Sequence, residues 1–398
     1  MDAVKIEIRI LPHTFLLEDG TFNKEEALLH SGRIGGICYS LDGYEKLKDE
    51  PIKTTQKRVK MTLELGHHSV YDHIYINFDI RKIPKILAMI LNNEKQYNTS
   101  ERSFRYTPIL QADGVSDYEK ELYQKWFEIL KEKITERHGD VWKKNKIEKV
   151  AQEKARSFLT VFLPTAFIYS TTIRQINYLV AMMKKYIEEE SNKNNFTKRL
   201  GTSMQEFIDE ITKLNVLDDA LLLNEKQRKL AFFNENIEER QEYFGDVYST
   251  SYKISYDCFA DSQRHRTISY EMKRPMKTEY YIPPLIEKDK KLAEEWIKDI
   301  QTVADLFPIG ELVLVNERGT YENFILKTKD RLCSAVQLDV MKQTKATLTK
   351  YTQGLEKNNH PLKDDIKNYT KGARCTFPDY KCAAHCHFKE GIDLTRES

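Results

Sequence analysis

Residues 66–80 read GHHSVYDHIYINFDI, and the second half of that stretch decides the fold. From His73 to Ile80 polar and apolar residues alternate, which places Ile74, Ile76 and Phe78 on one face, as a half-buried strand requires. Outward from it, Val4 to Arg9 alternates as another strand and Lys24 to Ser31 reads as a helix. Ile83 to Leu91 is an apolar helix with Pro84 in its first turn. Ser116 to Ile134, Lys144 to Phe162 and Ile173 to Glu190 read as further helices, with Glu188 to Phe196 as a polar connector. The pattern then returns. Val247 to Ile254 alternates as a second central strand, and Ser255 to Ser262 leads into a polar motif. Lys290 to Leu306, Glu311 to Lys327 and Asp330 to Lys350 read as helices. Strand, polar motif and helices, twice over, predict an α+β fold of two tandem halves, each a small twisted sheet packed with helices. The junction falls near Val216 to Glu235, which sets an N-terminal half at 1–220, a C-terminal half at 221–350 and a Cys/His-containing tail at 351–398.

A chain of 398 residues has room for two or three domains and a sizeable core. Its 63 Lys and Arg against 61 Asp and Glu leave a net charge of +2, so no overall field draws it to nucleic acid or membrane. Any phosphate must be held by local Arg clusters. No apolar run reaches membrane-span length, and Met1 to Leu16 lacks a signal-peptide pattern. Six Cys in so long a chain do not form a disulfide framework, and the expected compartment is the reducing cytoplasm.

Four clusters carry candidate chemistry. In Gly66 to His73, three His and an Asp invite a metal. His67 and His73 are six apart, however, and a polar turn with hydrogen-bonded imidazoles accounts for them. In Glu101-Arg102-Ser103-Phe104-Arg105-Tyr106, Ser103 and Arg105 face one way in an extended chain, as a phosphate monoester requires; a solvated charged loop is the alternative. In Arg264-His265-Arg266-Thr267-Ile268-Ser269, two Arg around a His concentrate charge for a diphosphate or an anionic ring. A nucleic-acid patch is the rival, and the mixed signs of Asp261 and Glu271 oppose it. The fourth cluster is Asn316-Glu317-Arg318 with Asn323, then Arg331 to Gln337 (RLCSAVQ) on a predicted helix, where plain helix-surface polarity is the alternative.

Together the clusters resemble the flavin-dependent thymidylate synthases, whose motifs run GHxSxxEH, RHRxxSxNExSxRY, NxR and RxxxxAQ. The first half keeps Gly66-His67, Ser69, Asp72 in the acidic place, His73, Glu101, Ser103, Arg105 and Tyr106, but has Asn93-Glu94-Lys95 at the RHR positions. The second half keeps Arg264-His265-Arg266 and Ser269, but Met272 to Lys277 replaces ExSxRY. Asn316, Arg318 and Arg331 to Gln337 are present there; at the equivalent place the first half has Thr172-Ile173-Arg174. The halves have thus lost complementary pieces.

The resemblance implies that His67, Ser69, Glu101, Arg264, His265, Arg266, Asn316, Arg318 and Asn323 hold FAD. It implies that Ser103, Arg105, Tyr106 and Arg156 bind the nucleotide, and that Arg331, as the catalytic group, contacts the uracil edge and favours its N3-deprotonated form. Family sites form between subunits of a homotetramer, so the resemblance implies one composite site per chain and a homodimer equivalent to that tetramer. The implied reaction methylates dUMP at C5 with methylenetetrahydrofolate as carbon donor, reduced FAD as hydride donor and NADPH as reductant. Three departures stand out: Asp261 where the family has Gln, Glu271 directly after Ser269-Tyr270, and Leu159-Thr160 where Leu-Pro follows Arg156. They leave open a hydroxymethylase or methylase acting on a related pyrimidine nucleotide, and an inactive nucleotide-binding homologue. In the tail, Cys375, Cys382 and Cys386 with a His, or with Cys333, are candidates for a structural zinc site; their spacing is not that of a standard knuckle, and a loose reduced tail is the alternative.

Overall fold

The structure, a computed structural model, describes residues 5–41, 43–104, 114–223, 228–383 and 385–398. The alternation of 73–80 produces the strand it predicts, at the centre of the first of two sheets. β1 (Glu7–Ile10), β2 (Tyr75–Pro84), β3 (Asn98–Glu101) and β4 (Pro164–Thr172) are antiparallel in the order β1-β2-β4-β3. Ile74, Ile76, Phe78 and Ile80 are buried, whereas Tyr75 and Asn77 face solvent. β5 (Tyr243–Phe244), β6 (Val247–Ser255), β7 (Ser269–Lys273) and β8 (Leu312–Thr320) form the second sheet in the order β5-β6-β8-β7. The two orders are the same, and so is the succession of connections. In each, the second strand leads into a seven-residue helix, Lys85–Leu91 or Tyr256–Ser262, and then into an edge strand. Helices follow, then the other central strand, and a threonine N-cap (Thr172 or Thr320) opens the next helix.

The chain divides into two compact units, Met1–Ser103 with Phe162–Leu230, and Phe104–Val161 with Ala231–Ser398. In the first, the helix Lys85–Leu91 is apolar all round and its last six residues are buried, as a helix inside a core must be. The helix Ile173–Glu190 ends where its apolar periodicity ends, and Asn194 with Thr197 forms a capping box that opens Asn195–Lys213. In the second unit, Ser116 and Glu119 cap the helix Asp117–His138. Its Trp126 stacks on Phe158 at 5.8 Å and meets Trp296 edge-on at 4.8 Å, while the indole N–H donates to Asp299 at 2.9 Å.

Several expectations need correction. The strand through 73–80 runs on to Pro84, which sits at the N-cap of the following helix and not in its first turn. The helix expected over Lys144 to Phe162 stops at Ala155 and tightens into a short turn, Arg156–Phe158. Glu311 to Lys327 is not one helix. Its first part is β8, paired on both sides and buried at Val313 and Val315, and a helix, Tyr321–Arg331, begins only at Thr320. The helix expected from Asp330 begins at Leu338 and runs to Lys357. Thr172-Ile173-Arg174 lies at a strand–helix junction, as Thr320-Tyr321-Glu322 does, whereas Asn316 and Arg318 lie mid-strand, so the two triplets do not correspond. Among the described residues no helix is long and apolar enough to cross a membrane.

Candidate functional site

In the second unit the third and fourth clusters come together. Ser255 caps the helix Tyr256–Ser262 by accepting from Cys258 N, and the chain then turns through His265 into β7. Thr320 caps the helix Tyr321–Arg331, and the last residue of that helix reaches His265. Arg331 Nε donates to His265 Nε2 at 2.7 Å and Nη1 donates to Asp261 Oδ2 at 3.3 Å. Because Nε2 accepts, the geometry assigns the ring proton to Nδ1, which lies 3.7 Å from the Asp330 carboxylate. Burial, and then the charges of Arg331 and Lys327, hold His265 down to about 3. The imidazole is therefore a neutral acceptor at neutral pH.

The sign of the pH effect follows. Above the ordinary value of 6.5 the ring is neutral whether folded or not, and it contributes no pH dependence. Below 6.5 the unfolded chain takes up a proton that the fold refuses until about 3, so stability falls through that window. The slope approaches about 1.4 kcal/mol per pH unit. Urea unfolding at several pH values from neutral down to mildly acid should show this excess slope in the wild type and lose it in His265→Gln; equal slopes would reject the assignment.

One turn before Arg331, Lys327 donates to Glu317 Oε2 at 2.6 Å, and both side chains are 0% exposed. The same carboxylate accepts from the hydroxyls of Tyr248 (2.6 Å) and Tyr252. The helix is thereby pinned to β8 and β6, and Arg331 is positioned through it. Arg264 beside this centre and Arg318, which follows Glu317 in β8 and so takes the other face of the sheet, both point outward, with side chains 59% and 61% exposed. Arg264 leans on Asp261 (3.2 Å) and Arg318 on Glu271 (3.5 Å). Arg266 is half-buried, as is Asn323, whose amide reaches Thr267 O at 3.5 Å. Asn316 is buried and saturated: it accepts from Ser251 Oγ at 2.8 Å and donates to Glu238 O at 2.7 Å and to Glu271 at 3.1 Å.

Arg331 and Gln337 do not share a helix. The first ends one helix, and the second caps the next, Leu338–Lys357. They meet opposite ends of the helix Tyr256–Ser262 through its acidic pair Asp257 and Asp261, four residues apart on one face. Arg331 binds Asp261, and Gln337 donates to Asp257. Asp257 also pairs with Arg156 at 2.6 Å, and burial raises its pKa against the pull of that guanidinium. Arg156 Nε is buried with no acceptor among the described residues. Lys154, beside it in sequence, lies 3.0 Å from both oxygens of Asp339. Asp257 and Asp339 carry no local sign as partners, because their pairs with Arg156 and Lys154 join segments far apart in the chain; Lys327 and Glu317 are ten residues apart but on different elements, a helix and β8.

In the first unit, His67 and Ser69 are exposed at the start of the turn before β2. His68 points inward to Tyr178 OH and Leu63 O, both at 3.0 Å, while Asp72 accepts from Thr172 Oγ1 at 2.8 Å and Arg174 Nε at 2.9 Å. Glu101 closes β3 and accepts from Lys85 at 2.6 Å, Asn92 at 3.2 Å and Thr165 at 3.3 Å. Ser103 follows, half-buried; Arg105 and Tyr106 lie outside the described residues.

The tail residues Cys375, Cys382, His385, Cys386 and His387, with Cys333, line a cavity of about 270 Å³. As placed they do not form a metal site: among the described residues no three His, Cys, Asp or Glu could hold an ion. The tail is tied to the Arg331–Gln337 segment by Arg374 N donating to Leu332 O at 2.7 Å.

No curated protein matches the chain. Among solved structures, thymidylate synthase X from Helicobacter pylori with FAD and dUMP is 17% identical, with 55% of this chain and 100% of that one covered and a TM-score of 0.29. A UMP/dUMP methylase from Streptomyces cacaoi bound with 5-Br dUMP is 16% identical, with 44% and 77% covered and a TM-score of 0.26. Residues 21–192 match the family described as Thy1, thymidylate synthase complementing protein.

Proposed function

We propose that the chain is a flavin-dependent enzyme that methylates a uridine nucleotide, dUMP, at C5. The observation that carries the reading is the Arg331–His265–Asp261 centre flanked in sequence by Arg264 and Arg266, in a chain whose first part matches Thy1. The donor set fits FAD. The outward guanidiniums of Arg264 and Arg318, with Arg266 and Asn323, suit a diphosphate, and the neutral His265 fixes the Arg that faces a ring. In the first unit, His67, Ser69 and Glu101 take part in flavin binding, while Ser103, Arg105 and Tyr106 take the nucleotide. The buried Nε of Arg156, for which the described residues supply no acceptor, is the donor that a phosphate oxygen would satisfy. Asn316, already saturated, orients Glu271.

When bound, reduced FAD supplies the hydride that completes the transferred one-carbon unit of methylenetetrahydrofolate. The protein's own part is to hold the nucleotide by its phosphate and to orient the pyrimidine with Arg331, which is held from behind by His265 and Asp261. NADPH as reductant and a homodimer complete the proposal. The test is the absorbance spectrum of the purified protein with added FAD and then dUMP. Flavin bands that shift with the nucleotide are expected. A protein that binds no flavin at any concentration would end the enzyme reading.

A further inference from the structure

We infer that Asp261 sets the ring that this site accepts: a neutral pyrimidine with a hydrogen on its N3–C4 edge, and not the N3-deprotonated anion. The inference rests on the proposal that Arg331 faces the pyrimidine. Arg331 is 13% exposed and its nearest acid, Asp261, is 8% exposed at 3.3 Å, so one buried charge answers the other. The second cation close by, Lys327, is matched by Glu317 at 2.6 Å with both fully buried. His265 takes a hydrogen bond from Arg331 and adds no charge. Arg264 also leans on Asp261, but at 59% exposure water screens it. Asp330, near His265 Nδ1, is 64% exposed and adds only negative sign.

Among the described residues that contact Arg331 or His265, no buried cation is left uncompensated for an anionic ring, and a buried carboxylate stands beside the place where one would sit. A carboxylate accepts and cannot donate, so it selects a ring edge that carries N–H. It also opposes loss of the N3 proton, as any like charge does. Two ring edges offer this chemistry: the N3–H of neutral uracil and the exocyclic amino group of cytosine.

The test measures calorimetric Kd values for dUMP, 5-fluoro-dUMP and dCMP on the full chain with FAD, across neutral to alkaline pH. The fluorine makes N3–H more acidic. Wild type should therefore lose 5-fluoro-dUMP before dUMP as pH rises, at about tenfold per pH unit once the ring ionises. Asp261→Asn keeps the shape and removes the charge, and should narrow that gap to about twofold. Comparable dCMP binding would show the amino edge being read, and dUMP binding alone would show N3–H being read; either supports the inference. Wild-type affinity for 5-fluoro-dUMP that rises as its ring ionises would overturn it while leaving the functional reading intact, and so would an unchanged gap in Asp261→Asn. Failure of all three nucleotides to bind would overturn both. The wild-type titration alone decides the matter if the variant does not fold.

Discussion

Lys327→Ala is expected to lower the unfolding free energy of the second unit by about 3–5 kcal/mol, the usual cost of leaving a buried ion without its partner. Lys327 and Glu317 are both 0% exposed and 2.6 Å apart. Without the ammonium, Glu317 keeps, among the described residues, the hydroxyls of Tyr248 and Tyr252. Replacing both members, Lys327→Met with Glu317→Leu, should recover most of the loss, because the desolvated charge leaves with its partner. The measurement is unusually clean. All three tryptophans, Trp126, Trp142 and Trp296, belong to the second unit, so indole fluorescence in a urea titration follows that unit alone. A loss below about 1 kcal/mol for the single variant would show that the pair does not hold the helix.

Arg331→Ala should reduce kcat/KM for the proposed methylation of dUMP by about 10²–10³, the range for removing one preorganised donor at a reacting ring. The indole fluorescence transition serves as the folding control. Arg331→Lys retains a charge but cannot donate to His265 and Asp261 in the forked geometry seen here, and a loss of more than about tenfold is expected from it too. Activity within about threefold of wild type in Arg331→Ala would remove this residue from the site and the charge argument with it.

Much of this was legible in the chain, and the failures have physical reasons. β2 and β6 announce themselves because one face is core and the other solvent, which writes period two into the sequence. β8 does not. Its residues 312–315 form a continuous apolar run with no period of two, and Glu317, in its middle, looks like a helix residue until Lys327 is seen to neutralise it. β3 and β7 are short edge strands of four and five residues, too brief for a period. The helix Asn195–Lys213 was hidden behind the polar run that caps it. At the site, the Arg264–His265–Arg266 cluster and Arg331 were visible as residue types. That one would be clamped by the other was not, since 66 residues separate Arg331 from His265. Gln337 misled for a related reason: the chain leaves helical geometry after Arg331, and the carbonyl of Leu332 is taken up by Arg374 from the tail.

The way the units share the chain has a consequence during synthesis. Residues 104–161 belong with 231–398, although the first unit is complete once Leu230 has been made. The helices Asp117–His138 and Lys144–Ala155 therefore leave the ribosome long before Trp296 exists to cover Trp126 and Phe158. At roughly 5–20 residues per second, that interval lasts on the order of ten seconds or more. Throughout it, Trp126, Leu130 and Phe158 are apolar surface on a nascent chain. Yield in a foreign host thus depends on whatever shields those helices while translation finishes, and a gene cut after residue 230 would give a finished first unit carrying two orphaned helices.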